Sequence, residues 1–451
     1  MRVLKFGGTS VGSADRMQEV ADIIEKNEGR QLIVLSAMSG TTNDLVSLSN
    51  HLKADDGERA LAQVEMLEDK YVRILTDLFA DKESRDKARA LIRPSFQLFH
   101  DKLNAEQFDD VDEKEILAQG ELISTNLFHV MCNVRGIESA LIPALAFMRL
   151  QEDGEPNLEE TAELLEPIMN NIDPEVEVII TQGYICRSHD GNIDNLRRGG
   201  SDYTATIVGS CLEVEEVQIW TDIDGVHNND PRIIQDTRPI RILSYREAAE
   251  LAYFGAKILH PTCVLPVEKA NVPLRLKYTM APKAPGTLIS RKSSGQAITA
   301  IAAKDGITAI KIYSHRMLQA YGFLKRVFQV FEKYHTSVDM ITTSEVAVSL
   351  TIDNTVHIEA ITRELSSFSE VDITYGYTIV CVVGNALYND GKHVHQVFTR
   401  LEGVPLRMVS MGGSKNNISL LVASEYKEKA LRALHGLFST QRITLAEGSS
   451  V

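Results

Sequence analysis

The sequence predicts an α/β protein in two parts: a parallel-type sheet covered by helices on both faces, then two copies of a small βαββαβ unit. Three observations predict it. Apolar strand-like runs alternate with helix-period stretches over residues 1–280. A Pro-, Gly-, Ser- and Lys-rich stretch follows at 281–297 (APKAPGTLISRKSSGQA) and reads as a connector. Beyond it, one order of short strands and helices occurs twice, about 70 residues apart.

Residues 2–8 (RVLKFGG) form a strand running into glycines, and Met17, Val20, Ala21 and Ile24 then mark one face of a helix. A second strand, 32–35, runs into the small-residue turn 36–42 and another helix. Strands alternating with helices imply parallel pairing with both sheet faces covered. From about 55 to 135 the pattern is wholly helical, with Ala60, Val64, Leu67, Tyr71, Ile74 and Leu78 on one stripe. The stripe lasts under three heptads, which favours core packing over a coiled-coil seam. Strands return at 139–144, 176–182, 217–221 and 273–277, with helices from Ser201 and Tyr245, so the first domain closes near 280. The first small unit is expected over 298–376 and the second over 377–451, with Phe328 and Phe398 at matching helix positions.

Composition bounds the partners. A net charge of −15 with pI near 5.3 opposes nonspecific attachment to nucleic acid or an anionic membrane. An anionic substrate must therefore meet a local basic pocket. The five cysteines, at 132, 186, 211, 263 and 381, form no CxxC pair, and no leader peptide precedes them; free thiols in a reducing cytoplasm are expected. No apolar run approaches the ~18 residues a membrane span needs.

Four clusters carry candidate chemistry. Lys5-Phe6-Gly7-Gly8-Thr9-Ser10 sets a cation at a strand end beside two glycines that let backbone amides approach an anion; the spacing is not that of a P-loop, and an ordinary turn is the alternative. Arg197-Arg198-Gly199-Gly200-Ser201-Asp202 leads into an apolar helix: guanidinium groups and a helix N-terminus suit a carboxylate or phosphate, while Ser201 and Asp202 suit simple capping. Thr221-Asp222-Ile223-Asp224-Gly225-Val226-His227, ending in Asp230-Pro231-Arg232, suits a nucleotide and its magnesium or a plain surface turn. Gly120-Glu121-Leu122-Ile123-Ser124-Thr125 interrupts a helical stretch with one acid, which on a helix is ordinarily solvated.

Taken in order, KFGGTSVG, SAMSGTTN, GELIST, TQGYI, RRGGSDYTA, WTDIDGV, DPR and FGAKILHP resemble the aspartate kinase family over nearly the whole chain. GFLKRVFQVF and SVDMITTSEV are similar to its monofunctional, lysine-sensitive type, and the length leaves no room for a fused homoserine dehydrogenase. The resemblance implies an amino-acid-kinase-like αβα sandwich followed by two ferredoxin-like ACT domains. It implies transfer of the ATP γ-phosphoryl group to the β-carboxylate of L-aspartate, with Mg²⁺ carried by the nucleotide phosphates and no protein metal site. It further implies that Lys5 and Asp202 are catalytic, and that Lys5, Gly7, Gly8 and Lys257 hold phosphates. Ser36, Thr42, Glu121, Tyr184, Arg198 and Ser201 would hold aspartate, with Glu121 suited to its ammonium and Arg198 to a carboxylate. Thr221, Asp222, His227, Arg232 and Lys257 would hold the nucleotide. Met317, Phe323, Leu324, Val338, Asp339, Ser344 and Glu345 would hold an amino-acid effector, lysine first, in a homodimer or tetramer built through the ACT domains; Phe323, Leu324 and Val338 fit an ordinary core equally. Three positions depart from the family pattern: Arg197 replaces a usual glycine, His227 a usual tyrosine or other large residue, and Ala320 a serine of lysine-sensitive relatives.

The chemistry needs no general base, because a carboxylate of pKa about 3.9 is already ionised at neutral pH. What opposes reaction is repulsion between two anions, so positioning and cationic stabilisation must dominate. Two other readings stay open: a kinase of another small carboxylate or carbamate, and an inactive amino-acid-binding regulator.

Overall fold

The computed structural model describes residues 1–196, 199–255, 259–313, 321–385, 387, 389 and 391–447. The expected site residues Arg198, Lys257 and Met317, and the departures Arg197 and Ala320, lie outside that set. Two compact units emerge: Met1–Val226 with Arg241–Tyr245 and Leu259–Lys292, and His227–Ile240 with Arg246–Ile258 and Ser293–Val451. No described helix is long and apolar enough to cross a membrane, and all five cysteines are free thiols, four of them buried.

The first unit is built on an eight-stranded sheet in the order Ser139–Leu141, Val178–Gln182, Gln31–Leu35, Arg2–Phe6, Glu216–Thr221, Leu274–Tyr278, Thr287–Ser290, Ile242–Ser244. Every neighbouring pair is parallel except Leu274–Tyr278 with Thr287–Ser290. The pleat sorts side chains by parity. Leu4, Phe6, Ile33, Leu35, Val178, Ile180 and Trp220 enter one core with helix Ala14–Glu25 and the insertion helices. Val3 and Lys5 thereby face the other side, where helix Gly200–Cys211 packs on strands Arg2–Phe6 and Glu216–Thr221. Gly209 permits that closeness, since a Cβ there would stand 2.2 Å from Val217 Cγ2.

The insertion consists of helices Gly57–Leu78, Lys82–Leu103 and Asp110–Val134, each N-capped by an aspartate: Asp56, Asp81 and Asp109. Its apolar stripe is buried in the same core as the sheet, with Ile74 partly buried at the margin, so packing accounts for the periodicity. The expected break at Gly120 does not occur. The residue lies inside a continuous helix, and its missing side chain is a packing device, because a Cβ would come within 2.8 Å of Ala37 Cβ.

The stretch expected to be a bare connector contains strand Thr287–Ser290. Gly286 there has φ +67°, and a Cβ on it would lie 1.9 Å from Leu276 O. The turn glycine that reads as linker composition is what lets the chain fold back against Leu274–Tyr278.

The second unit carries a six-stranded sheet in the order Ile341–Thr343, Ala347–Ile352, Ala300–Tyr313, Glu370–Val383, Asn417–Ala423, Met408–Met411. Its two central strands are long and each serves two modules. Residues 308–313 and 370–374, with helices Phe323–Lys333 and Ile358–Leu365, enclose the first core. Residues 300–304 and 379–383, with helices Gly391–Arg400 and Lys427–Glu447, enclose the second. The second repeat is thus not the linear segment 377–451: its fourth strand comes from the chain ahead of the first repeat, a pairing that no local pattern announces. Segments 227–240 and 246–258 also fold with this unit. Ile301 N donates to Asn228 O at 2.9 Å, Asn229 Nδ2 donates to Leu431 O at 3.1 Å, and Thr299 Oγ1 donates to the buried Glu247 at 2.7 Å.

Gly286→Ala is expected to cost about 2–4 kcal/mol, combining a left-handed backbone with a side chain and a direct overlap with a carbonyl. Urea unfolding measures it; an unchanged midpoint would mean that the turn is not constrained as described.

Candidate active site

Parallel strands set their C-terminal ends on one sheet edge, and here the connections diverge around Arg2–Phe6, to Gln31–Leu35 on one side and Glu216–Thr221 on the other. The crevice outside such a divergence is where open α/β sheets bind ligands. Lys5 sits there, 9% exposed, with Nζ 2.6 Å from Asp202 Oδ1 in the first turn of helix Gly200–Cys211. The approach is ionic rather than along a hydrogen-bond direction, and Asp202 Oδ1 has no hydrogen-bond partner among the described residues.

Capping does not explain Ser201 and Asp202. The N-cap is Gly199, without a side-chain hydrogen bond, and both side chains turn into the crevice. Ser36 Oγ donates to Ser201 Oγ at 2.9 Å. Glycines allow this convergence: a Cβ on Gly183 would stand 2.2 Å from Ser201 Cβ, and one on Gly199, φ +75°, 2.6 Å from Cys263 Sγ. Gly7 lies beside Lys5, with 3.4 Å between a built Cβ and Nζ, and Gly8 brings its loop against Ala37 O, at 3.0 Å from a built Cβ. The expected phosphate residues Lys5, Gly7 and Gly8 are therefore together.

Glu121 is not solvated. It is 4% exposed on helix Asp110–Val134, Oε1 accepts the Ala37 N–H at 3.0 Å, and Oε2 is buried with no partner among the described residues. Burial pushes its carboxyl up to about 8, against the lowering pull of the Ala37 amide and the Lys5 ammonium. Tyr184 takes φ +65° and donates its N–H to Thr204 Oγ1 at 2.9 Å; burial, then the nearby Glu121, raises its phenol to about 12. Thr42 is exposed at the first turn of helix Thr41–Lys53.

Thr221 ends its strand and its hydroxyl donates to Asp222 Oδ1 at 3.2 Å, leaving the Asp222 carboxylate at the surface. Several participants were not singled out from sequence. Thr279 bonds Thr221 O through its N–H at 3.0 Å and meets Ser10 Oγ at 2.9 Å, tying the glycine loop to the neighbouring strand end. Lys70 Nζ reaches Asp44 Oδ2 at 2.9 Å, Thr41 Oγ1 at 3.1 Å and Ser39 O at 3.3 Å, bracing the 36–42 turn from the insertion. Only their proximity identifies them; as isolated hydroxyls and a helix lysine they carry no pattern.

The remaining expected nucleotide residues belong to the second unit. His227 Nδ1 meets Thr237 Oγ1 at 2.8 Å. Arg232 forks onto Asp230, Nε to Oδ1 at 2.9 Å and Nη2 to Oδ2 at 2.7 Å. Among the expected effector residues, Phe323 and Val338 pack in the first-module core, Leu324, Ser344 and Glu345 are exposed, and Ser344 Oγ accepts the Ala347 N–H at 3.2 Å. Asp339 is engaged by the chain itself, its Oδ1 accepting from Lys304 Nζ at 2.7 Å.

Residues 1–277 match the amino acid kinase family and residues 380–438 an ACT domain. Lysine-sensitive aspartokinase 3 of Escherichia coli (strain K12) is 34% identical over 449 residues, spanning 96% of this chain and 98% of that one. Aspartokinase 1, chloroplastic, of Arabidopsis thaliana is 33% identical, spanning 97% of this chain and 80% of that one. The crystal structure of E. coli aspartokinase III with aspartate and ADP (R-state) superposes with a TM-score of 0.83 at 32% identity, covering 97% and 99% of the two chains. The same enzyme with lysine and aspartate (T-state) gives 0.79. The ordered motifs, the crevice they line and these likenesses together establish that the chain belongs to the aspartokinase family, an amino acid kinase fold with C-terminal ACT modules.

Proposed function

We infer that this chain is an ATP-dependent aspartate kinase, forming 4-phospho-L-aspartate, and that an amino acid, lysine first, regulates it. The observation that carries the reading is the charge arrangement at the sheet edge: Lys5 held by Asp202, facing the same crevice as a buried Glu121 with an unused carboxylate oxygen. The related E. coli structures are complexes with aspartate and ADP, and with lysine and aspartate, which supports both substrate and effector.

In this reading Lys5 and the amides of Gly7 and Gly8 take the transferring phosphoryl group, and Asp202 keeps the ammonium aimed while the site is empty. Glu121 takes the substrate ammonium through its free oxygen. Ser36, Thr42, Tyr184 and Ser201 border the aspartate, and Arg198, whose role rests on the resemblance, takes a carboxylate. Thr221 and Asp222 receive the nucleotide, and the resemblance adds His227, Arg232 and Lys257 to the same task. Mg²⁺ enters with the triphosphate and neutralises its charge; the exposed Asp222 carboxylate is a hard oxygen donor that fits its hydration shell. The reacting carboxylate is already ionised, so the protein's task is to overcome anion repulsion and align an in-line transfer. Met317, Phe323, Leu324, Val338, Asp339, Ser344 and Glu345 form the effector region. The exposed Leu324 and Phe328 on helix Phe323–Lys333 suit pairing of ACT modules between copies of the chain.

Lys5→Met is expected to lower kcat by about 10²–10³, the scale of losing a preorganised charge contact. Trapping the acyl phosphate as its hydroxamate measures this, and retention of half the wild-type rate would remove Lys5 from catalysis. Running the assay with glutamate or carbamate in place of aspartate tests the acceptor.

Glu121 generates a pH signature. Its folded pKa of about 8 lies above the ordinary 4.5, so between those values the folded state holds a proton that the unfolded state does not, and stability falls as pH rises through that window. Glu121→Gln should abolish that slope and be the more stable protein above pH 8. In the wild type an ionised Glu121 is needed for the substrate ammonium, so aspartate affinity should improve about fivefold from pH 7 to 8. A flat profile that Glu121→Gln shares would reassign the residue to packing.

Millimolar L-lysine at subsaturating substrate should depress the initial rate. No response would exclude lysine as the effector.

A further inference from the structure

A cavity of about 650 Å³ lies within the first unit, on the face of the sheet turned away from Lys5. Its volume is in the range that buries a small organic molecule. Strand register builds it: Glu216–Thr221 and Leu274–Tyr278 pair Gln218 with Arg275 and Trp220 with Lys277, so these side chains share the face that holds Phe6 and helix Ala14–Glu25. The flank of that helix, with Glu19, Ile23 and Lys26 spaced four and three apart, forms one wall. The chain beyond Tyr278 turns back to form another, Ala281 N donating to Tyr278 O at 3.2 Å and Ala284 N to Ala281 O at 2.9 Å, with Met280, Pro282 and Lys283 lining the space.

The charges around this space do not balance. Its two carboxylates are engaged by arginines that do not line it: Glu19 Oε2 accepts from Arg16 Nη1 at 3.0 Å, and Asp22 Oδ1 from Arg135 Nη2 at 2.7 Å. Lys26 and Lys283 are exposed and form no ion pair among the described residues. Lys277 is half-buried, with Nζ donating to Pro282 O at 2.7 Å and to Ala284 O at 2.9 Å, which leaves one of its three N–H groups without an acceptor among the described residues. Burial, then the neighbouring Arg275, pulls its ammonium below the ordinary value against the raising pull of Glu216, and an anion in the cavity would relieve that. In a chain of net charge −15, three lysines without a carboxylate around one cavity mark a place for an anion. Its body is set by the surface between them. Trp220 stacks on Phe6 with centroids 5.6 Å apart, commits Nε1 to Gln218 Oε1 at 3.1 Å, and has Lys277 Nζ 5.1 Å from its ring centre. The indole has no hydrogen bond left to offer, and with Ile23, Met280 and Pro282 it gives an apolar lining that suits a flat ring.

We propose that this cavity is a second ligand site, for a small organic anion with an aromatic body: the ring lies along Trp220 and Met280, the charge takes Lys277, and Lys26 and Lys283 draw it in at the rim. None of the residues assigned above to aspartate, phosphate or nucleotide lines it, so the inference does not depend on the kinase reading. Thr279 is the wall the cavity shares with the crevice, because its N–H donates to Thr221 O and its hydroxyl meets Ser10.

Trp220, the single tryptophan of the chain, is the reporter. Anilinonaphthalene sulfonate titrated into the full-length protein should show saturable energy transfer from it. Phenylnaphthylamine, the same rings without the sulfonate, should bind about tenfold more weakly, the scale of one hydrogen bond to a charged group. Lys277→Met should weaken the sulfonate about tenfold and leave the neutral dye unchanged. Because that change also removes two bonds that hold the turn, Lys26→Gln combined with Lys283→Gln, both at exposed positions, gives the independent reading: about threefold to tenfold weaker sulfonate binding, the scale of two exposed ion pairs. Naphthoate should displace the dye and acetate should not. Absence of saturable transfer, equal binding of the two dyes, or wild-type binding in both sets of variants overturns the proposal. Displacement by MgATP would overturn it too, by making the cavity part of the nucleotide site.

Discussion

A lysine ammonium withdrawn from water at the end of a central strand is the constraint around which the first unit is arranged. Lys5 cannot be left alone there, because an uncompensated buried charge costs several kcal/mol. Asp202 compensates it at 2.6 Å, and the acid reaches that distance only because helix Gly200–Cys211 starts directly over strand Arg2–Phe6. Gly183, Gly199 and Gly209 make that seating possible, each standing where a methyl group would overlap a neighbour. The pair is therefore a product of backbone closeness, and the glycines belong to the geometry of the crevice as much as the charged groups do.

Much of this was legible in the sequence because the relevant signals are local. The strand into Gly7 and Gly8, the helix face Met17, Val20, Ala21 and Ile24, and the insertion stripe from Ala60 to Leu78 depend on periodicity, which tertiary packing here reinforces. The burial of Glu121 was not legible because the usual solvation of a helix acid says nothing about what covers that helix; Gly120 is no helix break because its cause is Ala37, 83 positions away in sequence. Ser201 and Asp202 were ambiguous for a related reason. A helix start predicts capping, and only the observed cap, Gly199, releases both side chains for other work. Thr279 and Lys70 left no trace at all, since single hydroxyls and lysines acquire meaning only from their neighbours.

The regulatory unit teaches the same lesson at larger scale. Two copies of a strand order were visible, but the copies share strands. Strand Ala300–Tyr313 pairs with 379–383 near its start and with 370–374 and Ala347–Ile352 near its end, with a register shift between Lys304 and Ile307 that Gly306, φ +75°, accommodates. Burying the two ends of one continuous strand under two cores binds the modules mechanically. Segments 227–240 and 246–258 follow this unit through polar groups satisfied there: buried Glu247 accepts from Thr299 Oγ1, Asn229 Nδ2 donates to Leu431 O, and Ile301 N donates to Asn228 O.

The strand borrowed by the second module has an architectural corollary. Because residues 300–304 complete a sheet that otherwise begins at Glu370–Val383, everything between them is a nested insert whose entry and exit lie side by side, Ile307 being paired with Tyr377 across the sheet. A module inserted this way is a cassette: its ends are already spliced, so an exchanged cassette would leave the host sheet closed. Truncation behind the first module, by contrast, would strand an orphaned edge, which makes the chain tolerant of replacement at this site and intolerant of deletion.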